Sequence, residues 1–145
     1  MASATGAELW HTYNLAQLAE ACGKAGRIDE GLEVIAKALD VVQEKGERWW
    51  EAEIVRLRGE LLLKRNPSGL AEAQTSFERA IEIARKQGAK SLELRAATSL
   101  ARLLASQGKR DEARAMLADI YNWFTEGFDT ADLKDAKSLL DTLNS

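Results

Sequence analysis

Three glycines, Gly46, Gly88 and Gly127, each follow one amphipathic stretch and precede the next, at separations of 42 and 39 residues. Glycine in that position ends a helix, because it alone takes the left-handed backbone there without steric cost. A second register repeats the period. Gly26-Arg27-Ile28-Asp29-Glu30-Gly31 recurs as Gly108-Lys109-Arg110-Asp111-Glu112-Ala113, 82 residues later, two periods of about 41. Such spacing predicts a tandem array of helical hairpins, and arrays of this kind act by holding partners.

At 145 residues the chain fits one domain, expected over 8–145 behind a flexible N-terminus at 1–7. A domain of that size buries roughly two thirds of the surface its unfolded chain exposes, so no staple is required. The single cysteine, Cys22, leaves no intramolecular disulfide and has no His or Cys neighbours for a zinc site. No cofactor or metal is implied. The N-terminus lacks a basic and an apolar signal region, and no run of about eighteen apolar residues occurs, so a cytoplasmic chain that binds no membrane is expected. The 20 basic and 23 acidic residues are interspersed. The densest basic group, Arg56, Arg58, Lys64 and Arg65, is broken by Glu53 and Glu60, a pattern of solvated helix faces rather than of a nucleic-acid surface.

Ten glycines and one proline against abundant Ala, Leu, Glu, Lys and Arg make the composition helical. The pattern predicts hairpins over about 8–46, 47–88 and 89–126 and an unpaired helix over about 130–143. The first helix carries Leu15, Leu18, Ala19 and Cys22 and stops at Gly26. Asp29 is expected to cap the second, whose stripe is Leu32, Ile35, Ala36, Leu39 and Val42. Trp49 and Trp50 open the third helix, with Ile54, Leu57, Leu61 and Leu62, and Asn66-Pro67-Ser68-Gly69 breaks it. Leu70, Ala73, Phe77, Ala80, Ile81 and Ala84 mark the fourth. The fifth carries Leu94, Ala97, Leu100, Ala101 and Leu104, and the sixth Ala113, Leu117 and Ile120. The last presents Leu133, Ala136, Leu139, Leu140 and Leu143 on one face and Asp132, Lys134, Asp135, Lys137 and Asp141 on the other, as a solubilising cap would. Trp123, Phe124 and Phe128 are expected to clasp it to the third hairpin.

The small and large residues recur in a register that resembles the tetratricopeptide repeat. On successive first helices it reads Leu15, Leu18-Ala19 and Cys22, then Val55, Arg58-Gly59 and Leu62, then Ala97, Leu100-Ala101 and Leu104. On the second helices it reads Gly31, Ile35 and Ala38, then Ala73, Phe77 and Ala80, then Ala113, Leu117 and Ile120. The period near 41 exceeds the usual 34, which implies longer helices, and the repeat's proline is missing. The strings Gly46-Glu47-Arg48-Trp49-Trp50-Glu51-Ala52-Glu53, Arg56-Leu57-Arg58-Gly59-Glu60-Leu61-Leu62-Leu63, Ser91-Leu92-Glu93-Leu94-Arg95-Ala96-Ala97 and Trp123-Phe124-Thr125-Glu126-Gly127-Phe128-Asp129-Thr130 are similar to the C-terminal tetratricopeptide region of multidomain bacterial ATP-binding regulators, many with a nucleotide cyclase domain. The resemblance runs from about Trp10 onward. It implies an all-α, right-handed α-solenoid of three hairpins plus a cap, with Ala19, Gly59 and Ala101 at the close helix approaches. Without a phosphate loop or cyclase domain, the chain reads as an excised tail or a free-standing copy.

In such an array the first helix of each hairpin lines a concave groove. The groove candidates are Tyr13, Glu20 and Lys24, then Trp49, Glu53, Arg56, Glu60 and Lys64, then Arg95, Thr98 and Arg102. Each also reads as an ordinary solvated position. Arg56, Arg95 and Arg102, taken to lie off the apolar stripe, form a set whose guanidinium forks can read a carboxylate. Trp49, in line with Glu53, Arg56 and Glu60, is the leading anchor; Trp50, in line with Ile54, Leu57 and Leu61, is a core residue. The pattern lacks the two-carboxylate clamp of chaperone-binding arrays, having Ala16 and Glu20 where Lys and Asn are needed. His11 stands alone and faces solvent, Cys22 is a buried small hydrophobe, and no constellation supports an enzyme. The expected function is therefore protein–protein interaction, a scaffold or adaptor gripping a peptide or protein segment, with a homodimer left open. The alternative is a regulatory or sensor segment of a larger ATPase or cyclase that docks intramolecularly or takes a small ligand.

Overall fold

The computed structural model describes residues 6–46 and 48–145, with residues 6–10 as backbone only. Seven helices make up the described chain: α1 (Gly6–Lys24), α2 (Ile28–Lys45), α3 (Glu51–Arg65), α4 (Leu70–Gln87), α5 (Lys90–Ser106), α6 (Arg110–Tyr121) and α7 (Ala131–Leu143). No strand occurs among the described residues. Of the segment expected to be flexible, residues 1–5 lie outside the described residues, while Gly6 and Ala7 already belong to α1. Glu47, the expected start of the second hairpin, and the Trp10 side chain also lie outside them. The chain forms two compact units, one up to Ser76 and one from Phe77.

The helix breaks fall at Gly26, Gly46, Gly88 and Gly108 and in the Asn66–Gly69 cluster, whereas α6 already ends at Tyr121 and Gly127 lies six residues on, within the connection to α7. Among the described residues the positive φ values belong to Gly26, Gly46, Gly88, Gly108 and Gly127. Gly26 (φ 79) and Gly108 (φ 81) build one and the same turn. Gly26 N donates to Gly23 O at 3.2 Å and Arg27 N to Cys22 O at 2.8 Å; Gly108 N donates to Ala105 O at 3.0 Å and Lys109 N to Leu104 O at 2.9 Å. The bond five residues back satisfies a carbonyl the ending helix would otherwise leave open. The next helix starts at once, with Gly31 N on Arg27 O and Ala113 N on Lys109 O, both at 3.0 Å. Arg27 and Lys109 are therefore the N-cap residues, and neither gives a side-chain cap. This corrects the expectation for Asp29: the turn is so short that Asp29, like Asp111, falls inside the first turn, where its charge favours the helix dipole without capping a particular N–H. The third helix also starts later than expected. Trp49 and Trp50 lie in the turn before it, with Trp50 as N-cap.

In the first unit α1, α2 and α3 each pack on the other two. Leu15, Ala16, Ala19, Ile35, Ala38, Val42, Ile54, Leu57 and Leu61 form its core. Small residues admit the close approach. A Cβ on Gly31 would stand 3.1 Å from Leu61 Cδ1 and 3.3 Å from both Ala19 O and Cys22 Cβ, and one on Gly23 only 2.8 Å from Leu61 Cδ2. Leu61 of α3 is thus wedged against glycines of both α1 and α2. Two stripe members fall outside the core: Leu18 is 51% exposed, and Ala36 is exposed. Each is next in sequence to a buried residue, and a step of about 100° around the axis carries it past the contact edge.

In the second unit α5, α6 and α7 likewise each pack on the other two. Leu94, Ala97, Leu100, Ala101 and Leu104 of α5, Ala113, Leu117 and Ile120 of α6, and Leu133, Ala136, Leu140 and Leu143 of α7 are buried. Leu139 is half-buried. Each fully buried leucine contributes about 1.5–3 kcal/mol relative to exposure. Thr130 caps α7, its hydroxyl oxygen accepting from Leu133 N at 3.4 Å. The charged side of α7 is not wholly turned to water. Asp132 and Asp135 point to α5, where they hold Arg95 and Arg102. Arg110 and Arg114 of α6 reach the carbonyls of Thr142 (2.8 Å) and Leu143 (3.2 Å). The aromatic clasp is open outward: Trp123 and Phe128 stay exposed, Trp123 edge-on to Phe124 with centroids 5.2 Å apart and Phe128 5.8 Å from Tyr121.

Candidate interaction surface

The residues singled out on α1 and α3 belong to the first unit, those on α5 to the second. On α1, Tyr13 and Glu20 are half-buried and Lys24 is exposed. Their spacing of seven and four residues keeps them on one edge of the helix. Tyr13 meets Trp50, with ring centroids 5.0 Å apart and planes tilted by 51°. Trp50 packs on the core as expected, and its indole N–H is buried without a hydrogen-bond partner among the described residues. Trp49, beside it, is 64% exposed, the most exposed large apolar side chain among the described residues. The start of α3 therefore carries one aromatic turned in and one turned out.

Further along α3 the stripe is less available than its sequence implies. Arg56 is buried, which corrects its placement off the apolar stripe. Its Nε and Nη2 donate to Glu53 Oε1 and Oε2 at 2.9 and 2.8 Å, and Glu53 is buried with it. Glu60 approaches Arg56 Nη1 at 3.6 Å. The cause is the depth of α3, which is buried over ten of its fifteen residues. A charged side chain at such a site takes a carboxylate from its own helix, since an unpaired buried charge is far more costly. Lys64 is exposed, and its Nζ lies against Gly23 in the last turn of α1.

In the second unit the three candidates are already engaged. Arg95 forks onto Asp132, with Nη2 2.9 Å from Oδ2; Arg102 pairs with Asp135. Thr98 is buried and its hydroxyl donates to Leu94 O at 2.8 Å, leaving no surface for a ligand to read. Arg56 and Arg95 are thus each held in a two-pronged contact by a carboxylate of the chain itself, and Arg102 by a single one.

Two residues were missed by the sequence reading. Glu51 and Glu93 are both buried at the start of a hairpin's first helix. Arg48 holds Glu51 through two contacts of 3.1 Å. Arg85 Nε donates to Glu93 Oε2 at 2.9 Å, and Lys90 Nζ stands 3.5 Å from Oε1. They lie 42 residues apart, the same offset as Gly46 and Gly88, so the repeat register carries the signal even though glutamate at a helix start ordinarily reads as a solvated dipole partner. Arg27 and Lys137 hold their protons more tightly than usual, chiefly through hydrogen bonds to Glu30 and Asp141, and neither is among the candidates.

Among the described residues no three His, Cys, Asp or Glu side chains gather as a metal site, and no helix is long and apolar enough to cross a membrane. What the first unit offers is a polar face along α1 and α3 that ends in an exposed indole. No protein-family model, curated protein or solved structure matches this chain.

Proposed function

We propose that the chain is a tetratricopeptide-like array, a right-handed α-solenoid that serves as a protein-interaction module and grips a peptide or protein segment along α1 and α3. The observation that carries the reading is Trp49, 64% exposed beside the paired rings of Tyr13 and Trp50. An indole left in water at the edge of a polar face is the side chain that most often anchors a partner, because its area is large and little entropy is lost in fixing it. Glu20, Lys24, Glu60 and Lys64 supply the mixed polar rim. The repeated glycine turn and the identical pairing scheme of α1–α3 and α5–α7 support the repeat reading. Because Arg56, Arg95 and Arg102 are occupied internally, the proposed grip is aromatic and mixed-charge rather than a reader of carboxylates.

The test is selection of displayed peptides on the full chain, followed by Trp49→Ala. Trp49 is largely exposed, and substitutions at exposed positions usually change stability by no more than about 0.5 kcal/mol, so circular dichroism and melting should be nearly unchanged while selected peptides bind at least tenfold more weakly. Peptides held equally by the parent and the Trp49→Ala chain would refute the assignment.

A further inference from the structure

The opposite edge of α3 carries a different feature. Arg58, Leu62 and Arg65 stand in line over two turns and, with Leu32 and Ala36 of α2 and Glu72 of α4, line a surface cleft of about 280 Å³. The floor is apolar and the rim charged. Arg58 gives one N–H to Ser76 Oγ at 3.1 Å and keeps its other donors. Arg65 and Glu72 form no ion pair or hydrogen bond among the described residues. Arg58 is also out of pattern, because the same register position holds Leu18 and Leu100 in the other hairpins.

The chemistry of an occupant follows from the line charge, apolar, charge. Arg58 and Arg65 are seven residues apart, a rise of about 10 Å. The complementary ligand is a helix with carboxylates at i and i+7 and a leucine-sized residue between them, the helix-in-groove mode of recognition. The cleft, about 280 Å³, has room for a leucine-sized side chain. The chain's own pairing shows that closer acids also serve: Arg95 and Arg102, likewise seven apart, receive Asp132 and Asp135, three apart on α7, over buried Leu133 and Ala136, so a second carboxylate at i+3 suits as well as one at i+7. Glu72, on the α4 side, favours a basic residue on that flank of the ligand.

We propose that this cleft is a second docking site, which takes an acidic amphipathic helix of a partner protein with one apolar side chain on Leu62 and one carboxylate on each of Arg58 and Arg65. It is independent of the Trp49 face. The test uses a displayed library of helical peptides randomised at positions i, i+3, i+4 and i+7 and selected on the full chain. The expected result is enrichment of Asp or Glu at i together with i+3 or i+7 and of Leu, Ile or Met at the other positions, with binding that falls at least tenfold in Arg58→Glu/Arg65→Glu and weakens as salt rises. Ala36→Trp, an exposed position on the cleft, fills it without touching either arginine and should cause the same loss; it decides the matter if the double variant misfolds. No enrichment, enrichment without paired acids, or selected peptides indifferent to Ala36→Trp would each overturn the proposal.

Discussion

Substituting Gly31 by alanine isolates the close approach of α1, α2 and α3. Alanine in place of a helical glycine stabilises by about 0.5–1 kcal/mol through the backbone alone. Against that gain, the new Cβ would lie 3.1 Å from Leu61 Cδ1, 3.3 Å from Ala19 O and 3.3 Å from Cys22 Cβ. The leucine tip can rotate away, but the carbonyl and the cysteine Cβ move only if α1 moves. Overpacking of this kind costs about 1–3 kcal/mol, so the net expectation is a loss of about 1 kcal/mol. Gly23→Ala is the internal control. Its Cβ would meet Leu61 Cδ2 at 2.8 Å and Lys64 Nζ at 3.7 Å, both side-chain ends and neither of them backbone, so the backbone gain and the shift of the Leu61 tip should nearly cancel, leaving its stability within about 0.5 kcal/mol of the parent. Leu61→Ala by itself should cost about 2–5 kcal/mol. Combined with Gly31→Ala it should cost less than the sum by about 0.5–1 kcal/mol, because one of the three contacts is gone. Urea titrations followed by circular dichroism give all the midpoints. A Gly31→Ala chain whose midpoint rises together with that of Gly23→Ala would refute the packing argument.

Arg56→Ala should destabilise by about 3–5 kcal/mol, because it strands buried Glu53; Arg56→Met with Glu53→Leu should recover most of that loss, and equal midpoints for the single and double variants would count against a buried pair. Ala101→Leu, at a position 0% exposed, should cost about 1–3 kcal/mol, and an unchanged denaturant midpoint would mean the repeat register is misplaced. A chain ending at Gly127 forfeits the burial of Leu133, Leu140 and Leu143, about 1.5–3 kcal/mol each, and uncovers apolar surface on α5 and α6. It should melt lower and associate in light scattering, whereas parent-like melting as a monomer would mean that α7 contributes nothing to the unit.

Much of the helix scheme was legible because glycine and helical periodicity act locally. Gly26 and Gly108 each form the same kind of turn in their own unit, and the register that pairs Gly31 with Ala113 and Ala19 with Ala101 names buried positions in both units. On α2 the register selects Gly31, Ile35 and Ala38, all buried, where the stripe took in exposed Ala36, while on α1 and α3 it also takes in exposed Leu18 and Arg58. The charged residues were less legible. Arg56, Glu53, Glu51 and Glu93 look like solvated positions because each is flanked by charges at helical spacing, yet the depth of a helix is set by its neighbours and not by its own composition. Asp132 and Asp135 show the same limit. Nothing on α7 itself distinguishes a carboxylate facing water from one facing an arginine thirty-odd residues earlier. Of the candidate face, Trp49 and its α1 neighbours were readable, whereas the cleft at Arg58 and Arg65 was not, since it requires three helices to be placed.

The lengths of the connections have a practical corollary for anyone inserting into or cutting this chain. Residues 25–27 and 107–109 each join two helices with three residues, and in both turns every amide is spent: Ala25, Gly26 and Arg27 donate to Ala21, Gly23 and Cys22, and Gln107, Gly108 and Lys109 to Leu103, Ala105 and Leu104. A tag or protease site placed there unravels a helix end. Residues 122–130 span nine positions that are mostly exposed, long enough to reach about 30 Å when extended, and α7 is held by its leucines and by four arginines rather than by this tether. An epitope inserted between Phe124 and Gly127, or a cut there, should therefore leave α7 seated on α5 and α6.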